Sequence, residues 1–559
     1  MKKIKVVIIG GVAAGPKAGA KIVRMCPEAE VTIIEKGEFL SYAGCGLPYY
    51  ISGVVKEQKE LMSTPVGTVR DLVFFKNVKN IKVYDKTEAL SIDRDKKTVL
   101  IQNLTSQEKQ EIAYDKLVLA TGSTPLRPNI KGINLKNIFT LHGVEDAEGI
   151  KAEFLERKAK DVTIVGGGLI GIEMAEALHE IGTRVTIVEH LPQILSFLDW
   201  EMAQLVTKHL ETKGVKVKTN TTVLEFSGED SIAKIITNEG EVQTDVAILA
   251  MGVKPNVALA ATAKLEIGET GAIKVNEYMQ TSESDIYAAG DCVEVINRIT
   301  KKSCYVPLGS TANKQGRVAA MNICGRKDKF LGVLNTVICK VFDFGVASTG
   351  LTEEKAKAEG YEVVTVLSPA PDRAHFYPTA KPIMIKLVID KKSAKLLGMQ
   401  TIGMGSVDKR MDIGVTAITA GLTIDDIANL DLAYAPPYAP AMDNIITAAN
   451  VGRNKLEGCF ESITPMEVKQ KLDAKQDFIL LDVRSPGEYE TMHIENSKLI
   501  PLGKLRERYH ELPKEKEIIT FCKISLRGYE AALILKNKGF EKVKVMDGGV
   551  LMWPYKLNK

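Results

Sequence analysis

The sequence lacks long apolar segments and any strong excess of charge of one sign. No apolar run reaches the roughly 20 residues that a membrane-spanning helix needs, which predicts a protein without a membrane span. The 74 basic and 70 acidic residues leave a net charge of +4 over 559 residues. A chain so nearly neutral lacks the basic excess that favours nucleic-acid binding. We therefore expect neither a membrane nor a nucleic-acid partner.

Cysteine is also scarce, and its spacing is irregular. The absence of a C-x-x-C pair argues against a disulfide scaffold or a zinc site and predicts reduced thiols in a cytoplasm. The first fifteen residues, MKKIKVVIIGGVAAG, have the pattern of a secretory signal. The same pattern returns at residues 161–171, where a signal cannot lie, so a strand–turn–helix unit explains both copies. The 8 cysteines are Cys26, Cys45, Cys292, Cys304, Cys324, Cys339, Cys459 and Cys522.

The first of these copies has the spacing of a dinucleotide-binding unit. A β-branched run, IKVVIIG, precedes GGVAAG, and a second run, VTIIE, ends at Glu35. Gly10 and Gly15 suit the tight turn and the close backbone approach that a pyrophosphate requires, and Glu35 is placed to bind a ribose hydroxyl. Val12 replaces the middle glycine, which weakens the pattern and leaves an ordinary turn as the alternative.

The second copy of the pattern is complete. VTIVGGGLIG supplies Gly166, Gly168 and Gly171, and RVTIVE ends at Glu189. Two dinucleotide units in one chain are typical of an enzyme that passes electrons between two cofactors. Because the Glu189 carboxylate accepts hydrogen bonds from ribose hydroxyls and repels a 2′-phosphate, and no arginine follows it, NADH is favoured over NADPH.

Three further segments, YDKLVLATGSTP, MGVKPN and TSESDIYAAGDC, resemble the flavoprotein disulfide reductase family. Each alone suits an ordinary strand end, but their order matches that family, in which the first and last segments hold FAD and MGVKPN ends an inserted NAD domain. The resemblance implies that the cofactor-binding residues include Thr121, Gly122, Gly252 and Asp291. Asp291 is the residue that would bond the ribityl chain of FAD.

A single cysteine lies between glycines in SYAGCGLPYY. Relatives that reduce glutathione or lipoamide carry a second cysteine five residues later, where this chain has Tyr50. The segment resembles the single-cysteine branch of the family, which comprises coenzyme A disulfide reductases, NADH oxidases and peroxidases. The resemblance implies that Cys45 holds a mixed disulfide, persulfide or sulfenic acid beside the flavin, with Ser41 at the cofactor. Gly44 departs from the asparagine frequent in coenzyme A disulfide reductases, and a buried structural cysteine is the alternative.

Two later segments, VDKRMDIGVTAI and LDLAYAPPYAPAMD, resemble the dimerisation domain of the coenzyme A disulfide reductases. The resemblance implies a homodimer in which tyrosines of the partner subunit reach the redox cysteine. Tyr434 and Tyr438 lie in the matching loop. The segment HFYP supplies Tyr377, preceded by Phe376 where those relatives carry another tyrosine.

Coenzyme A is a candidate ligand beside FAD and NADH. Lys21 and Arg24, on the first predicted helix, stand where the coenzyme A disulfide reductases have basic residues that face the phosphates of coenzyme A. We assign Tyr438 to the same site by resemblance. A solvated helix face is the alternative interpretation of the two basic residues.

The last hundred residues resemble a rhodanese domain, with DVR, EY, HI, a C-x-x-x-x-R loop and a terminal GGVLMW. Thr464 is predicted to cap the first helix of this domain. The loop from Cys522 to Arg527 follows a buried strand and precedes a helix, so its amides point at one spot and favour a thiolate that carries sulfane sulfur. Ser525 and Met492 each stand where rhodanese domains commonly have glycine. A rhodanese domain without activity is the alternative interpretation.

The predicted fold is α/β, with two Rossmann-like dinucleotide domains, an α+β dimerisation domain and an α/β rhodanese domain. The implied function is NADH-dependent reduction of persulfide, polysulfide or coenzyme A disulfide at Cys45, with sulfane sulfur supplied by Cys522. The alternatives are an NADH oxidase or peroxidase that uses a Cys45 sulfenate, and a sulfur-relay or redox-sensing protein. The predicted domain bounds are 1–150 with 276–330 for FAD, 151–275 for NAD, 331–450 for dimerisation, 451–460 for a linker and 461–559 for the rhodanese.

Overall fold

The computed structural model describes residues 3–157 and 159–559 and has the predicted mixed α/β fold. The chain forms two compact units. The first comprises residues 1–192 and 215–333, and the second comprises residues 193–214 and 334–559. Because this division is coarser than the five predicted domain bounds, those bounds stay a prediction.

The first unit contains two parallel sheets of 5 strands each. Inner strands of both sheets, such as Lys5–Ile9 and Asp161–Val165, are largely buried β-branched runs, as expected where helices cover both faces of a parallel sheet. In spatial order, the strands of the first sheet are Ile286–Ala288, Lys116–Leu119, Lys5–Ile9, Glu30–Ile34 and Ile81–Tyr84. Those of the second sheet are Lys216–Lys218, Arg184–Val188, Asp161–Val165, Val246–Leu249 and Ile138–Thr140.

Smaller antiparallel elements and helices complete the first unit. One three-stranded antiparallel sheet contains Thr87–Asp93, Thr98–Asn103 and Lys109–Ala113, and another contains Val223–Gly228, Ile232–Thr237 and Gly240–Gln243. Two-stranded sheets pair Ser123–Pro125 with Val253–Pro255 and Val295–Ile296 with Ser303–Cys304. The α-helices are Ala14–Met25, Leu47–Ile51, Leu72–Lys79, Val144–Arg157, Leu169–Glu180, Ala258–Thr262 and Gly309–Ile323. Short 3₁₀ helices span Gly44–Gly46 and Gln58–Met62.

The second unit begins with an antiparallel sheet of 5 strands and the helices that cover it. In spatial order, its strands are Val337–Val341, Phe344–Gly350, Leu396–Gly403, Pro382–Asp390 and Val363–Pro371. The helices are Trp200–Thr212, Glu353–Ala358, Val407–Ala420, Ile424–Ala428 and Asn444–Leu456.

A buried charge cluster explains why residues 193–214 belong to the second unit. The ammonium of Lys386, on a central strand, is 1% exposed and lies 3.0 Å from Asp199, 2.5 Å from Glu201 and 2.8 Å from Glu353. Burial alone would lower the pKa of Lys386, but the three carboxylates raise it above its usual range. A buried cation with several carboxylate partners holds the segment against the sheet.

The C-terminal part of the second unit is built on a parallel sheet of 5 strands. In spatial order, the strands are Glu461–Ile463, Val543–Met546, Glu517–Phe521, Phe478–Asp482 and Lys498–Leu499. The α-helices are Pro465–Asp473, Pro486–Thr491, Leu502–Arg508 and Leu526–Asn537, with 3₁₀ helices at Tyr509–Glu511 and Gly549–Met552. The predicted cap is confirmed, because Thr464 and Glu467 form a reciprocal capping box. Among the described residues, no helix is both long and apolar enough to cross a membrane.

Candidate active site

The first glycine-rich turn is tightly closed. Gly10 has a φ of +116°, and a Cβ at this position would lie 2.0 Å from the Ala120 carbonyl oxygen, so only glycine fits. A Cβ on Gly15 would lie 1.9 Å from the carbonyl oxygen of Gly10. The Glu35 carboxylate accepts the Gly11 amide at 2.5 Å and the Gly37 amide at 2.7 Å. The turn, the following helix and the acidic residue therefore lie together, as binding of a dinucleotide requires.

The second glycine-rich turn repeats this arrangement. Glu189 is 7% exposed, and its carboxylate accepts the Gly167 amide at 2.7 Å and the Leu191 amide at 2.9 Å. The Cβ positions of Gly166 and Gly171 are blocked by backbone carbonyls, whereas a Cβ at Gly168 would meet no atom within 4 Å. Gly168 thus leaves an open surface at the start of the helix Leu169–Glu180, where a pyrophosphate fits.

The Thr121–Gly122 segment and Gly252 lie at paired strands. Thr121 Oγ1 donates to the Asn256 carbonyl at 2.7 Å, and Asn256 Nδ2 donates to the Thr121 carbonyl at 2.9 Å. The strand Ser123–Pro125, directly after Gly122, pairs with Val253–Pro255, directly after Gly252. These contacts fix the predicted ATG-S loop beside the end of the predicted NAD segment.

Asp291 has the environment of a ligand-binding carboxylate. Burial raises the pKa of its carboxyl, and Ser123 Oγ donates to it at 3.3 Å, which is long for a hydroxyl donor. A buried carboxylate with so weak a hydrogen bond gains from further hydroxyl donors such as those of a ribityl chain. Together with the two glycine turns, this environment fits FAD and a nicotinamide dinucleotide.

Cys45 is exposed within the 3₁₀ turn Gly44–Gly46. Its segment is tied to the first glycine turn, because the Ser41 amide donates to the Gly11 carbonyl at 2.8 Å and Ser41 has a positive φ of 49°. A Cβ on Gly44 would come no closer than 4.0 Å to a neighbouring side-chain atom, so the space there does not require glycine. The geometry therefore places an accessible thiol on the segment that contacts the predicted FAD turn.

Tyr50 fills the position where two-cysteine relatives carry their second thiol. Its side chain is 6% exposed, its hydroxyl donates to Glu148 Oε1 at 2.7 Å, and the Lys151 ammonium lies 3.8 Å from the centre of its ring. The position thus holds a packed phenol. Cys45 forms no disulfide with any cysteine in the described part of the chain.

The remaining residues of the predicted coenzyme A and dimer sites are largely exposed. On the helix Ala14–Met25, Lys21 is half-buried and Arg24 is exposed. In the second unit, Tyr434 is 53% and Tyr438 69% exposed, whereas Tyr377 is half-buried. Phe376, 69% exposed, is the departure noted beside Tyr377. The roles of these residues stay predictions.

The Cys522 loop joins the strand Glu517–Phe521 to the helix Leu526–Asn537, and the Cys522 side chain is fully buried. Ser525 has a φ of +76°, the left-handed region that explains the glycine frequent at this position. The serine is held there because its Oγ donates to the Met546 carbonyl at 2.8 Å. The loop accordingly has the turn that a sulfur cradle needs.

Arg527 is anchored at the edge of this loop. Its two terminal nitrogens donate to the Glu488 carboxylate at 2.8 and 2.7 Å, and these hydrogen bonds lower the pKa of Glu488 to about 2. Met492 has an extended φ of −166° that any residue adopts, which explains why methionine is accommodated in place of glycine.

Glu173 belongs to none of the motifs, yet its pKa is strongly altered. Glu173 lies on the helix Leu169–Glu180, which packs against the helix Leu47–Ile51 that follows Cys45. Burial, reinforced by Glu176, raises the pKa of Glu173 to about 7. Altered carboxyls of this kind cluster at functional sites. The available signal was a pair of carboxylates in the apolar segment GIEMAE.

We expect Glu173→Gln to stabilise the FAD-loaded protein at pH 8 but not at pH 5. The unfolded chain loses the Glu173 proton near pH 4.5 and the folded chain near pH 7. Stability is therefore lost as the pH rises between these values, by up to about 3 kcal/mol. Thermal midpoints at pH 5 and pH 8 test this, with the exposed Glu180→Gln as control. An effect of Glu173→Gln that did not change with pH would contradict the burial argument.

The fold and site together define an oxidoreductase with two dinucleotide turns, an accessible thiol on the segment at one of them and a second thiol in the loop between Phe521 and Leu526. Residues 4–316 match the family described as pyridine nucleotide-disulphide oxidoreductase, and residues 336–446 match its dimerisation domain. Residues 464–555 match the rhodanese-like domain. The chain belongs to the pyridine nucleotide-disulphide oxidoreductase family and carries a rhodanese-like domain.

Named relatives agree with this assignment. A solved structure of a NAD-dependent persulfide reductase from A. fulgidus is 47% identical, covers 98% of this chain and 100% of its own, and superposes with a TM-score of 0.94. Reduced CoADR-RHD from Bacillus anthracis is 39% identical over 99% of this chain and 98% of its own, with a TM-score of 0.93. An NAD(P)H sulfur oxidoreductase (CoA-dependent) from Pyrococcus abyssi is 39% identical over 80% of this chain and 98% of its own.

Proposed function

We propose that the protein reduces persulfide, polysulfide or coenzyme A disulfide with electrons from NADH, through Cys45, and that Cys522 supplies sulfane sulfur. One observation carries this proposal: a chain with two nucleotide turns has an exposed thiol on the segment at the first turn and a buried thiol in a rhodanese loop. The similarity to a persulfide reductase over 98% of the chain supports the substrate class.

Some residues of the chain bind the two nucleotides, and Cys45 carries out the sulfur chemistry. Glu35 and Asp291 would hold FAD, and Glu189 would bind the ribose of NADH. The FAD held there would supply electron transfer from NADH to sulfur. The Cys45 thiolate attacks the outer sulfur of a persulfide, so that a thiol leaves and a persulfide forms on Cys45. Reduction of that persulfide by two electrons and two protons releases sulfide and restores the thiol.

The exposed basic and aromatic residues suit coenzyme A and a second copy of the chain. Lys21 and Arg24 supply positive charge for coenzyme A phosphates. Tyr434, Tyr438 and Phe376 are large exposed rings, and such sets mark interaction surfaces. We place them at a homodimer interface that brings Tyr434, Tyr438 and Tyr377 to the partner's sulfur site. We place the protein in the cytoplasm, where a thiol such as the exposed Cys45 stays reduced.

Anaerobic steady-state turnover with polysulfide tests the proposed function against both alternatives. Fast NADH oxidation with sulfide release supports the reductase. Turnover that requires oxygen favours the NADH oxidase or peroxidase with a Cys45 sulfenate, and negligible turnover favours the relay or sensor. The rhodanese-like domain over residues 464–555 argues for sulfur as substrate, since an oxidase has no use for a sulfane carrier.

We expect NADH to be preferred over NADPH about a hundredfold, because the Glu189 carboxylate repels a 2′-phosphate. Glu189→Gln keeps an acceptor for the Gly167 amide and removes the charge, so the ratio of kcat/KM for NADPH to that for NADH should rise about tenfold or more. Steady-state kinetics with both nucleotides measures this ratio, and Glu180→Gln is the control. Equal use of the two nucleotides by the wild-type protein would refute the argument.

A further inference from the structure

One buried ion pair joins the rhodanese-like part of the second unit to the helix that precedes it. Lys455 lies in the last turn of the helix Asn444–Leu456, and its Nζ is 2.6 Å from Asp547 Oδ2. The two side chains are 6% and 7% exposed. The same ammonium donates to the Thr365 carbonyl at 2.7 Å, in the strand Val363–Pro371. Asp547 is thereby tied to two elements outside the rhodanese-like residues 464–555.

Asp547 begins the turn that supports the sulfur loop. It follows the strand Val543–Met546 and precedes two glycines of positive φ. A Cβ on the second of these, Gly549, would lie 2.3 Å from the Cys522 carbonyl oxygen, so the turn and the loop are in direct contact. Three hydrogen bonds join them: Val550 N to Cys522 O at 2.9 Å, Leu551 N to Lys523 O at 3.1 Å, and Ser525 Oγ to Met546 O at 2.8 Å.

The charge of Lys455 keeps this turn in place. Burial raises the pKa of the Asp547 carboxyl, and the Lys455 ammonium opposes that rise, with smaller contributions from Ser462 and Lys386. A buried carboxylate that loses its main cation must take up a proton or move toward water. Either change would shift the turn, and with it the backbone that holds the Cys522 loop.

We propose that Lys455 is a positioning residue for sulfur transfer at Cys522, so that the reductase part of the chain sets the geometry of the rhodanese loop. This inference rests on the proposed role of Cys522. Lys455 acts through Asp547 and the turn after it. Arg527, at the other end of the loop, is held separately by Glu488.

The test uses full-length, FAD-loaded protein with thiosulfate and cyanide as probes. The Cys522 thiolate takes the outer sulfur of thiosulfate, sulfite leaves, and cyanide then removes that sulfur as thiocyanate. Lys455→Met should lower kcat about tenfold or more while KM for thiosulfate stays within about twofold. The rate of Cys522 alkylation by iodoacetamide should fall by about fivefold or more, because a displaced loop holds the thiol less favourably for reaction. Lys455→Arg should restore both values.

Matched variants make each outcome decisive. Lys516→Met removes an exposed ion pair with Asp477 in the same domain and should leave kcat and the alkylation rate unchanged. If Lys455→Met does not fold, the double variant Lys455→Met with Asp547→Asn removes both charges and should show the same losses. A wild-type kcat and a wild-type alkylation rate in the folded variant would overturn the inference. A wild-type protein that forms no thiocyanate would instead refute the role of Cys522, and the alkylation rate would still decide whether Lys455 positions the loop.

Discussion

Cys45→Ser is expected to abolish sulfur reduction while FAD binding and the reduction of FAD by NADH persist. Serine has nearly the same size but cannot hold a reducible sulfur, so turnover on coenzyme A persulfide should fall on the order of a thousandfold or more. Because Cys45 is exposed, the substitution leaves no cavity and should not unfold the chain. Anaerobic stopped-flow absorbance of the flavin, combined with steady-state sulfide release, measures both steps.

A second thiol provides the control for this prediction. Cys459 is half-buried and lies outside every predicted site, so Cys459→Ser should retain the wild-type rate. Persulfide turnover that survived in Cys45→Ser would show that the exposed cysteine has a structural role. Loss of flavin reduction in that variant would show that the serine had disturbed the nucleotide turn to which the Ser41 amide is bonded.

Cys522→Ser is expected to lower the rate on polysulfide by about tenfold or more and to change the rate on coenzyme A persulfide little. Fusion of the two domains raises the effective concentration of carried sulfur at Cys45 to roughly millimolar. Loss of the Cys522 thiolate should therefore lower the rate most for substrates such as polysulfide, whose sulfur chain must first be cleaved. It should lower the rate least for a small persulfide that reaches Cys45 directly. Parallel steady-state assays with the two substrates measure the difference.

This comparison decides whether sulfur passes through Cys522 before it reaches Cys45. Equal loss on both substrates would place Cys522 on an obligatory path to Cys45. No loss on either would mean that the rhodanese-like domain runs its own reaction, and the relay between the two cysteines would be abandoned. Arg527→Lys is a second variant of the same loop, to be compared with Cys522→Ser. It keeps the positive charge but cannot form the two parallel hydrogen bonds to Glu488.

The sequence predicted the fold well where local pattern and packing agree. Continuous β-branched runs such as VTIVG give buried parallel strands, and the glycines at Gly10 and Gly166 are demanded by a positive φ and by carbonyls at the Cβ position. The cap at Thr464 is likewise a local signal that the structure bears out. The strands and the cap depend on the period of one segment or on neighbours within a few residues, whereas the carbonyls that require Gly10 and Gly166 belong to the distant Ala120 and Ala250.

Other features depend on residues far apart in sequence and could not be predicted. Burial by tertiary packing raises the pKa of Glu173. The Tyr50 hydroxyl donates to Glu148, and the ion pair of Lys455 with Asp547 joins residues 92 positions apart. Lys386 reaches back to Asp199 for the same reason. A motif names the residue type at a site, whereas its partner, burial and charge state are set by tertiary packing.

The most direct test of the central claim is the anaerobic stoichiometry of NADH oxidation with coenzyme A persulfide. The balanced reaction takes one NADH and one proton with each persulfide and gives NAD⁺, sulfide and free coenzyme A. The account predicts one sulfide released for each NADH consumed, without oxygen and with Cys45→Ser inactive. Consumption of NADH that required oxygen, or that released no sulfide, would contradict it.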